Sequence, residues 1–329
     1  LRTQGAPEVV LLSPAMLQVH ARLEQAPRGT ITVLLPGEVG VGKEVFAARL
    51  HELSPRAKKP YLKLNCAALT ESLAESELFG HVKGAFTGAT ATHAGLIEAA
   101  DKGTLFLDEV GELAPTMQAR LLRVLEARCV RPVGGTQEKP VDVRFVAATN
   151  RDLKAECAAG RFRPDLYSRL NGISLTIPPL RERPEEIDAL AQLFLERAVV
   201  ENGLSTVPTL SPEARALLRR CEWPDNVRGV RNAIDRAVLL CDGATITPGD
   251  LLLDAPTVAD DAEPGATASA RGRACAEDRH ARDGVLAALA RYLWNQSEAA
   301  RQLGMSRKAL IARIEKYDLP RPRKGRGEG

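Results

Sequence analysis

The sequence predicts a mostly parallel α/β fold with a second, all-helical unit, followed by a separate helical segment. Three observations carry this reading. Short β-branched and apolar runs alternate with helical patterns through the first half of the chain. Strand signals stop after Pro178-Pro179, and only helical periodicity follows. A glycine-rich loop stands directly between the first strand pattern and the next helix.

In chain order, residues 30–35 (TITVLL) are the first strand pattern, ending at Pro36-Gly37. Residues 43–53 read as a helix. Residues 62–64, 103–107, 143–148 (VRFVAA) and 173–177 are further short apolar runs, with helical segments between several of them. Residues 184–202, 212–221 and 227–241 place apolar residues at helical spacing and form a second, all-helical unit. Residues 254–283 are rich in Ala, Asp, Pro, Gly and Arg, lack periodicity, and read as a flexible linker. A helical pattern returns over 284–319, and residues 321–329 read as a disordered basic tail.

A length of 329 residues suits two or three domains. Apolar residues make up 44%, the share of an ordinary globular protein. No apolar run approaches the ~20 residues of a membrane span, so no membrane partner is expected. No signal peptide is visible. The chain opens on Leu1 rather than Met, which predicts a fragment whose residues 1–9 are the remnant of a linker. The six cysteines, Cys66, Cys129, Cys157, Cys221, Cys241 and Cys275, form no CxxC pair and have no clustered His. Reduced thiols in a cytoplasm are therefore expected. Net charge is +3, but residues 271–329 carry 14 Lys+Arg against 7 Asp+Glu, a net of +7, leaving −4 on the remainder. A basic end on an acidic body points to a nucleic-acid partner at that end.

Residues 37–44 read GEVGVGKE: Gly37, Glu38, Val39, Gly40, Val41, Gly42, Lys43, Glu44. Between a strand and a helix, that is the context of a phosphate-binding loop. The glycines let backbone N–H groups point at phosphate oxygens, and the helix N-terminus adds partial positive charge. Lys43 would reach the β- and γ-phosphates. Glu44 stands where a Ser or Thr hydroxyl ordinarily meets Mg²⁺. Residues 103–109 (GTLFLDE) describe a buried strand that delivers two carboxylates at its C-terminal edge, where ligands of α/β sheets bind. Asp108 would hold Mg²⁺ directly or through water, and Glu109 would polarise the attacking water as general base. Together the two motifs predict an ATPase.

Residues 76–89 read SELFGHVKGAFTGA. Here the chain resembles the bacterial enhancer-binding proteins, the AAA+ activators of sigma-54 RNA polymerase, whose signature GAFTGA is intact at Gly84, Ala85, Phe86, Thr87, Gly88 and Ala89. The resemblance extends over most of residues 10–253. It includes LNCAAL (64–69), RFVAATNRDL (144–153), FRPDLYSRLN (162–171), PPLRER (178–183) and WPDNVR (223–228). It implies an AAA+ P-loop fold with a parallel sheet at 10–179 and a helical lid at 180–253. An exposed aromatic on a flexible loop is costly unless it meets a partner; by resemblance that partner is the sigma-54 holoenzyme, contacted by Phe86 and Thr87. Asn65 matches the asparagine that holds the catalytic glutamate, and Asn150 the sensor that orients water or γ-phosphate. Arg163 and Arg169 match the fingers that reach a neighbouring subunit's nucleotide. Arg228 matches the lid arginine. A ring is implied, a hexamer by resemblance, regulated by a two-component or other signal through an upstream domain.

Glu44 is common in the family. Val39 and Val41 replace small polar residues but donate the same backbone N–H groups. Val82 stands for a usual Glu, and Asp225 and Gly229 for Gly and Glu; Gly229 is expected to weaken its helix by about 1 kcal/mol relative to Ala.

At the C-terminal end, helical patterns cover 284–294, 298–303 and 307–317, with Gly304-Met305 in the turn. Ser297 and Ser306 are candidate N-caps. Helix, glycine turn, helix is the helix-turn-helix layout, here resembling the Fis type over 284–320. Ser306, Arg307, Lys308, Ala312 and Arg313 are the expected DNA-facing residues, on upstream enhancer sites. A DNA-binding regulator that ignores sigma-54, and an AAA+ motor acting directly on DNA, are the rival readings; the intact GAFTGA loop opposes both.

Overall fold

The computed structural model describes residues 10–253, apart from 27–29, 69, 205 and 242. The chain divides into two units, Leu1–Thr257 and Val258–Gly329, and every described residue belongs to the first. The expectations for residues 1–9, for the 254–283 linker, for the helix-turn-helix with Ser306, Arg307, Lys308, Ala312 and Arg313, and for the 321–329 tail lie outside the described residues.

Five strands form one parallel sheet: β1 (Val33–Pro36), β2 (Tyr61–Asn65), β3 (Thr104–Asp108), β4 (Arg144–Thr149) and β5 (Ile173–Ser174). Their order is β2-β3-β4-β1-β5. Every predicted strand run holds one of them. Residues 30–32 precede the β1 ladder, and β5 is shorter than the predicted 173–177. Its continuation still bonds to β1, with Leu175 N and Ile177 N donating to the Leu34 and Pro36 carbonyls at 2.9 and 3.0 Å.

Both faces of the sheet are covered, which parallel strands require. Side chains alternate along each strand. Leu105, Leu107, Phe145 and Ala147 enter a core with α3 (Glu71–Phe79), α4 (Leu96–Ala99), α5 (Pro115–Ala127), α6 (Leu153–Ala158) and α7 (Pro164–Leu170). Phe106, Val146, Ala148 and Leu35 enter the opposite core with α1 (Pro14–Gln25) and α2 (Lys43–Glu52). This is why the strands read as continuous apolar runs. Helix α1 has no counterpart among the predicted elements; it starts at Ser13, whose side chain accepts from Met16 N, with Pro14 in the first turn.

The lid contains α8 (Ile187–Glu201), α9 (Pro212–Arg220) and α10 (Asn226–Leu240). Phe194, Leu218, Trp223 and Ile234 fill its core, and the Trp223 indole donates to Leu218 O at 2.8 Å. Two features correct the all-helical expectation. The predicted helix at 184–202 opens as a 3₁₀ turn, Pro184–Glu186, and Thr209–Leu210 pairs in parallel with Thr245–Ile246. Gly229 lies in the first turn of α10, and a Cβ there would stand 3.2 Å from the Trp223 ring. A side chain at this position would press on the indole, which would have to give by a few tenths of an ångström.

Phe145 is 1% exposed in the central strand β4. Phe145→Ala is expected to cost about 3–5 kcal/mol, measured by chemical denaturation; a loss under 1 kcal/mol would show that the sheet core is not packed as described.

Candidate active site

The strand register sets the site. Pro36 is opposite Thr149, and Asn65 is opposite Asp108. Gly37 N donates to Thr149 O at 3.1 Å. The residues that end or follow these strands, Asn65, Asp108, Gly37, Glu109 and Asn150, therefore gather at one sheet edge.

Residues 37–44 wrap from β1 into α2. Gly42 is the N-cap of α2, and no side chain caps the first turn. The leading N–H groups of a ten-residue helix are thus open to an anion, with the helix dipole behind them. Gly40 has φ +77°, and a Cβ there would lie 2.1 Å from the Asp225 carbonyl oxygen. Gly40 O also accepts from Arg228 N at 3.2 Å. The lid rests directly on the phosphate loop, and Arg228 stands at that contact. Asp225, at φ −91°, needs no glycine at its own position.

Lys43 is almost fully buried. Its ammonium donates to Gly37 O and Glu38 O at 2.9 and 3.2 Å and lies 3.3 Å from Glu109 Oε1. Glu109 Oε2 accepts from Asn150 N at 3.0 Å. Glu109 has φ +52° and ψ +48°, a conformation uncommon for a residue with a side chain. Its carbonyl accepts from Glu112 N at 2.9 Å. Beside it, burial and the Glu109 charge raise the Asp108 carboxyl above its ordinary value, against the pull of Lys43. Cys66 N donates to Asp108 O at 2.9 Å, and burial, then the two acids, push the Cys66 thiol up to about 12.

Asn65 Oδ1 accepts from Ala67 N at 2.9 Å, in an Asx turn that closes the end of β2. Glu109 turns instead to Lys43 and the Asn150 amide, so the expected Asn65–Glu109 contact is not the one formed. Glu44 pairs with Lys63 at 2.6 Å. A cavity of about 460 Å³ beside the edge is lined by Gly37, Glu38, Asn150, Arg151, Tyr167 and Asn171.

Arg163 and Arg169 bond away from this cluster. Arg163 forks onto Asp165 at 3.0 and 2.7 Å, and Arg169 lies 3.1 Å from Glu126. Both guanidinium groups are exposed. Buried Gln118, which sequence reading missed, fixes the Arg163 backbone: its Oε1 accepts from Arg163 N at 2.9 Å, and its amide donates to Leu113 O and Arg161 O.

Glu38 was expected only as part of the phosphate loop. It accepts a forked pair of bonds from Arg181 at 2.8 and 2.6 Å, and a third from Asn226 at 3.2 Å. Arg181, then Asn226, hold its carboxyl at about 2. Asn226 also donates to Val39 O and accepts from Leu180 N. The quoted motifs PPLRER and WPDNVR contain these residues, but spacing alone gave no sign that they meet the loop.

The segment Gly84–Ala89 is a tight turn, Gly84 N donating to Ala89 O at 2.9 Å, with positive φ at Gly84 and Gly88. Phe86 remains 46% exposed at its tip and leans edge-on against His81, ring centroids 5.0 Å apart. Val82 N donates to Val133 O at 3.1 Å, joining the base of this loop to the connection between Cys129–Val130 and its antiparallel partner Lys139–Pro140.

The Sigma-54 interaction domain family matches residues 9–176. The AAA+ ATPase lid domain family matches 181–267, and the Fis family of bacterial regulatory proteins matches 284–317. The chain is 45% identical to the transcriptional regulatory protein ZraR of Klebsiella oxytoca, over 92% of this chain and 68% of that protein. It is 51% identical to the Nif-specific regulatory protein of Herbaspirillum seropedicae, over 73% of this chain and 44% of that one. The crystal structure of NtrX from Brucella abortus in complex with ATP is similar with a TM-score of 0.70 at 30% identity, covering 95% of this chain and 70% of that one.

The Glu38 bonds carry a pH signature. A carboxyl held at about 2 rather than 4.5 adds stability that is full above 4.5 and lost as pH falls toward 2. The melting-temperature advantage of the protein over Glu38→Gln is expected to shrink across that window, as followed by thermal melts. An advantage independent of pH would mean that the charge is not its source.

Proposed function

The chain belongs to the sigma-54-dependent transcription activators, AAA+ ATPases with a Fis-family DNA-binding domain, and from that premise we propose which residues hydrolyse ATP and deliver the result to the polymerase. The observation that carries the assignment is the cluster of Lys43, Glu109 and the Asn150 amide beside the open N-terminus of α2.

ATP lies with its phosphates over residues 37–44. Lys43 exchanges Glu109 for the β- and γ-phosphate oxygens, which frees the carboxylate. Glu109 then accepts a proton from a water whose oxygen attacks the γ-phosphorus. As that bond forms, the bond from the γ-phosphorus to the β–γ bridging oxygen breaks, and ADP leaves with the electron pair. Asn150 orients the water or the γ-phosphate, and Asn65 takes up Glu109 in another nucleotide state. Arg228 brings the lid to the nucleotide.

A divalent cation fits the edge. Asp108 offers an oxygen ligand of the kind Mg²⁺ prefers, and its carboxyl, raised by burial and by Glu109, would be relieved by a nearby cation. Asp108 would hold Mg²⁺ directly or through water, and Mg²⁺ would neutralise charge on the phosphate oxygens.

Arg163 and Arg169 leave Asp165 and Glu126 to reach the γ-phosphate of a neighbouring copy, which makes the active unit a ring, a hexamer in this reading. Gly84–Ala89 forms the face that meets sigma-54, with Phe86 and Thr87 at the contact, and its movement with nucleotide state opens the promoter complex. The Fis-family segment holds the assembly on upstream DNA. No described helix is long and apolar enough to cross a membrane, and the working compartment in this reading is the cytoplasm.

Glu109→Gln is expected to retain ATP binding and lose at least 100-fold in turnover, in line with removal of a general base; normal phosphate release would sink the assignment. Thr87→Ala is expected to keep ATPase activity within a few-fold and abolish open-complex formation on a sigma-54 promoter, read by permanganate footprinting. Full promoter opening by that variant would assign the polymerase contact elsewhere.

A further inference from the structure

A buried ion pair links the start of the domain to the phosphate loop. Arg183 is 3% exposed and Glu186 is fully buried. They are joined through Arg183 Nη1 and Glu186 Oε2 at 3.0 Å. Each has a second task. Arg183 Nη2 donates to the Val41 carbonyl at 3.0 Å, inside the loop between Gly40 and Gly42. Glu186 Oε1 accepts from Leu12 N, Ser13 N and Ser13 Oγ at 3.2, 3.1 and 2.9 Å. Those are the residues through which the chain enters the domain. Ser13 is also the N-cap of α1.

Charges are rarely buried without a reason, because removing two ions from water costs several kcal/mol each, and a packed apolar pair often serves stability as well. Stability alone is a weak account of this pair. Its geometry suggests another. The loop must hold its N–H groups toward the phosphates, so the carbonyls between them must point away and find donors. The Gly40 carbonyl has the Arg228 amide; the Val41 carbonyl has Arg183.

We infer that Arg183 is a positioning residue that sets the phosphate-loop backbone for nucleotide, and that Glu186 ties this setting to the docking of Leu12–Ser13. The affinity for nucleotide then depends on how the entering segment is seated, 28 residues before Val41 in the chain. This rests on the ATPase reading. Arg183 acts through the Val41 carbonyl.

The test measures the Kd of a fluorescent ATP analogue alongside the melting temperature. Arg183→Lys keeps the charge but loses the fork that serves Glu186 and Val41 together, and is expected to raise the Kd about 10-fold. Removing one partner alone can unfold the domain, so the decisive variant replaces both, Arg183→Met with Glu186→Leu. It is expected to melt within a few degrees of the unaltered chain and still bind at least 10-fold more weakly. Ser13→Ala, which leaves the pair intact, is expected to raise the Kd about 3-fold and to speed amide exchange at residues 39–42. Unchanged Kd in Arg183→Lys and Ser13→Ala, or in a folded double variant, would overturn the inference and leave the pair a packing feature. Failure of the unaltered chain to bind the analogue would count against the ATPase reading itself.

Discussion

The parallel pairing of β1 with β4 is the constraint on which the site depends. Pro36 stands opposite Thr149, and the next amide, Gly37 N, closes the ladder on Thr149 O. A slip of one residue would turn every side chain of β1 to the other face. It would bury Leu34 in the wrong core and carry the phosphate loop away from Glu109. Burial of both faces fixes the register, and the register fixes the chemistry. The same edge receives Asp108 because β2 and β3 are locked in step at Asn65.

Lys43 and Glu109 answer each other at this edge. Lys43 is taken out of water, and its ammonium uses two loop carbonyls and the Glu109 carboxylate in place of solvent. Glu109 is held at both oxygens, by Lys43 and by the Asn150 amide. A buried cation left alone would be far costlier than this arrangement. Phosphate oxygens would offer Lys43 the same kind of partner, so in the proposed cycle nucleotide entry would trade one charge-assisted contact for another. The left-handed backbone at Glu109 fits the same account, since it turns the carboxylate out of the strand.

Much of this was legible in the sequence. The strands β1, β3 and β4 announced themselves because each is buried on both faces. Glycines, lysine and acids at strand ends announced the phosphate site because such chemistry needs those residue types close together in the chain. The missed residues act across distance. Arg181 meets Glu38 over 143 positions, and Asn226 meets it over 188. Gln118 supports Arg163 from another helix. No periodicity records such partners, since only the packed lid and helices bring them together. The short ladder between Thr209–Leu210 and Thr245–Ile246 was hidden for the same reason: two residues are too few to show alternation. Asn65 shows a different limit, because its side chain has a local turn and a distant acid to choose between, and sequence cannot weigh them.

Cys66 occupies the catalytic edge beside Asp108, yet its thiol is pushed up to about 12 by burial and the neighbouring acids. Oxidants and alkylating reagents attack the thiolate, and at neutral pH this sulfur stays protonated. The centre is therefore chemically quiet despite its cysteine. A reagent that selects low-pKa thiols would pass this one over, so labelling at Cys66 would report loss of the surrounding packing rather than the ordinary reactivity of a surface cysteine.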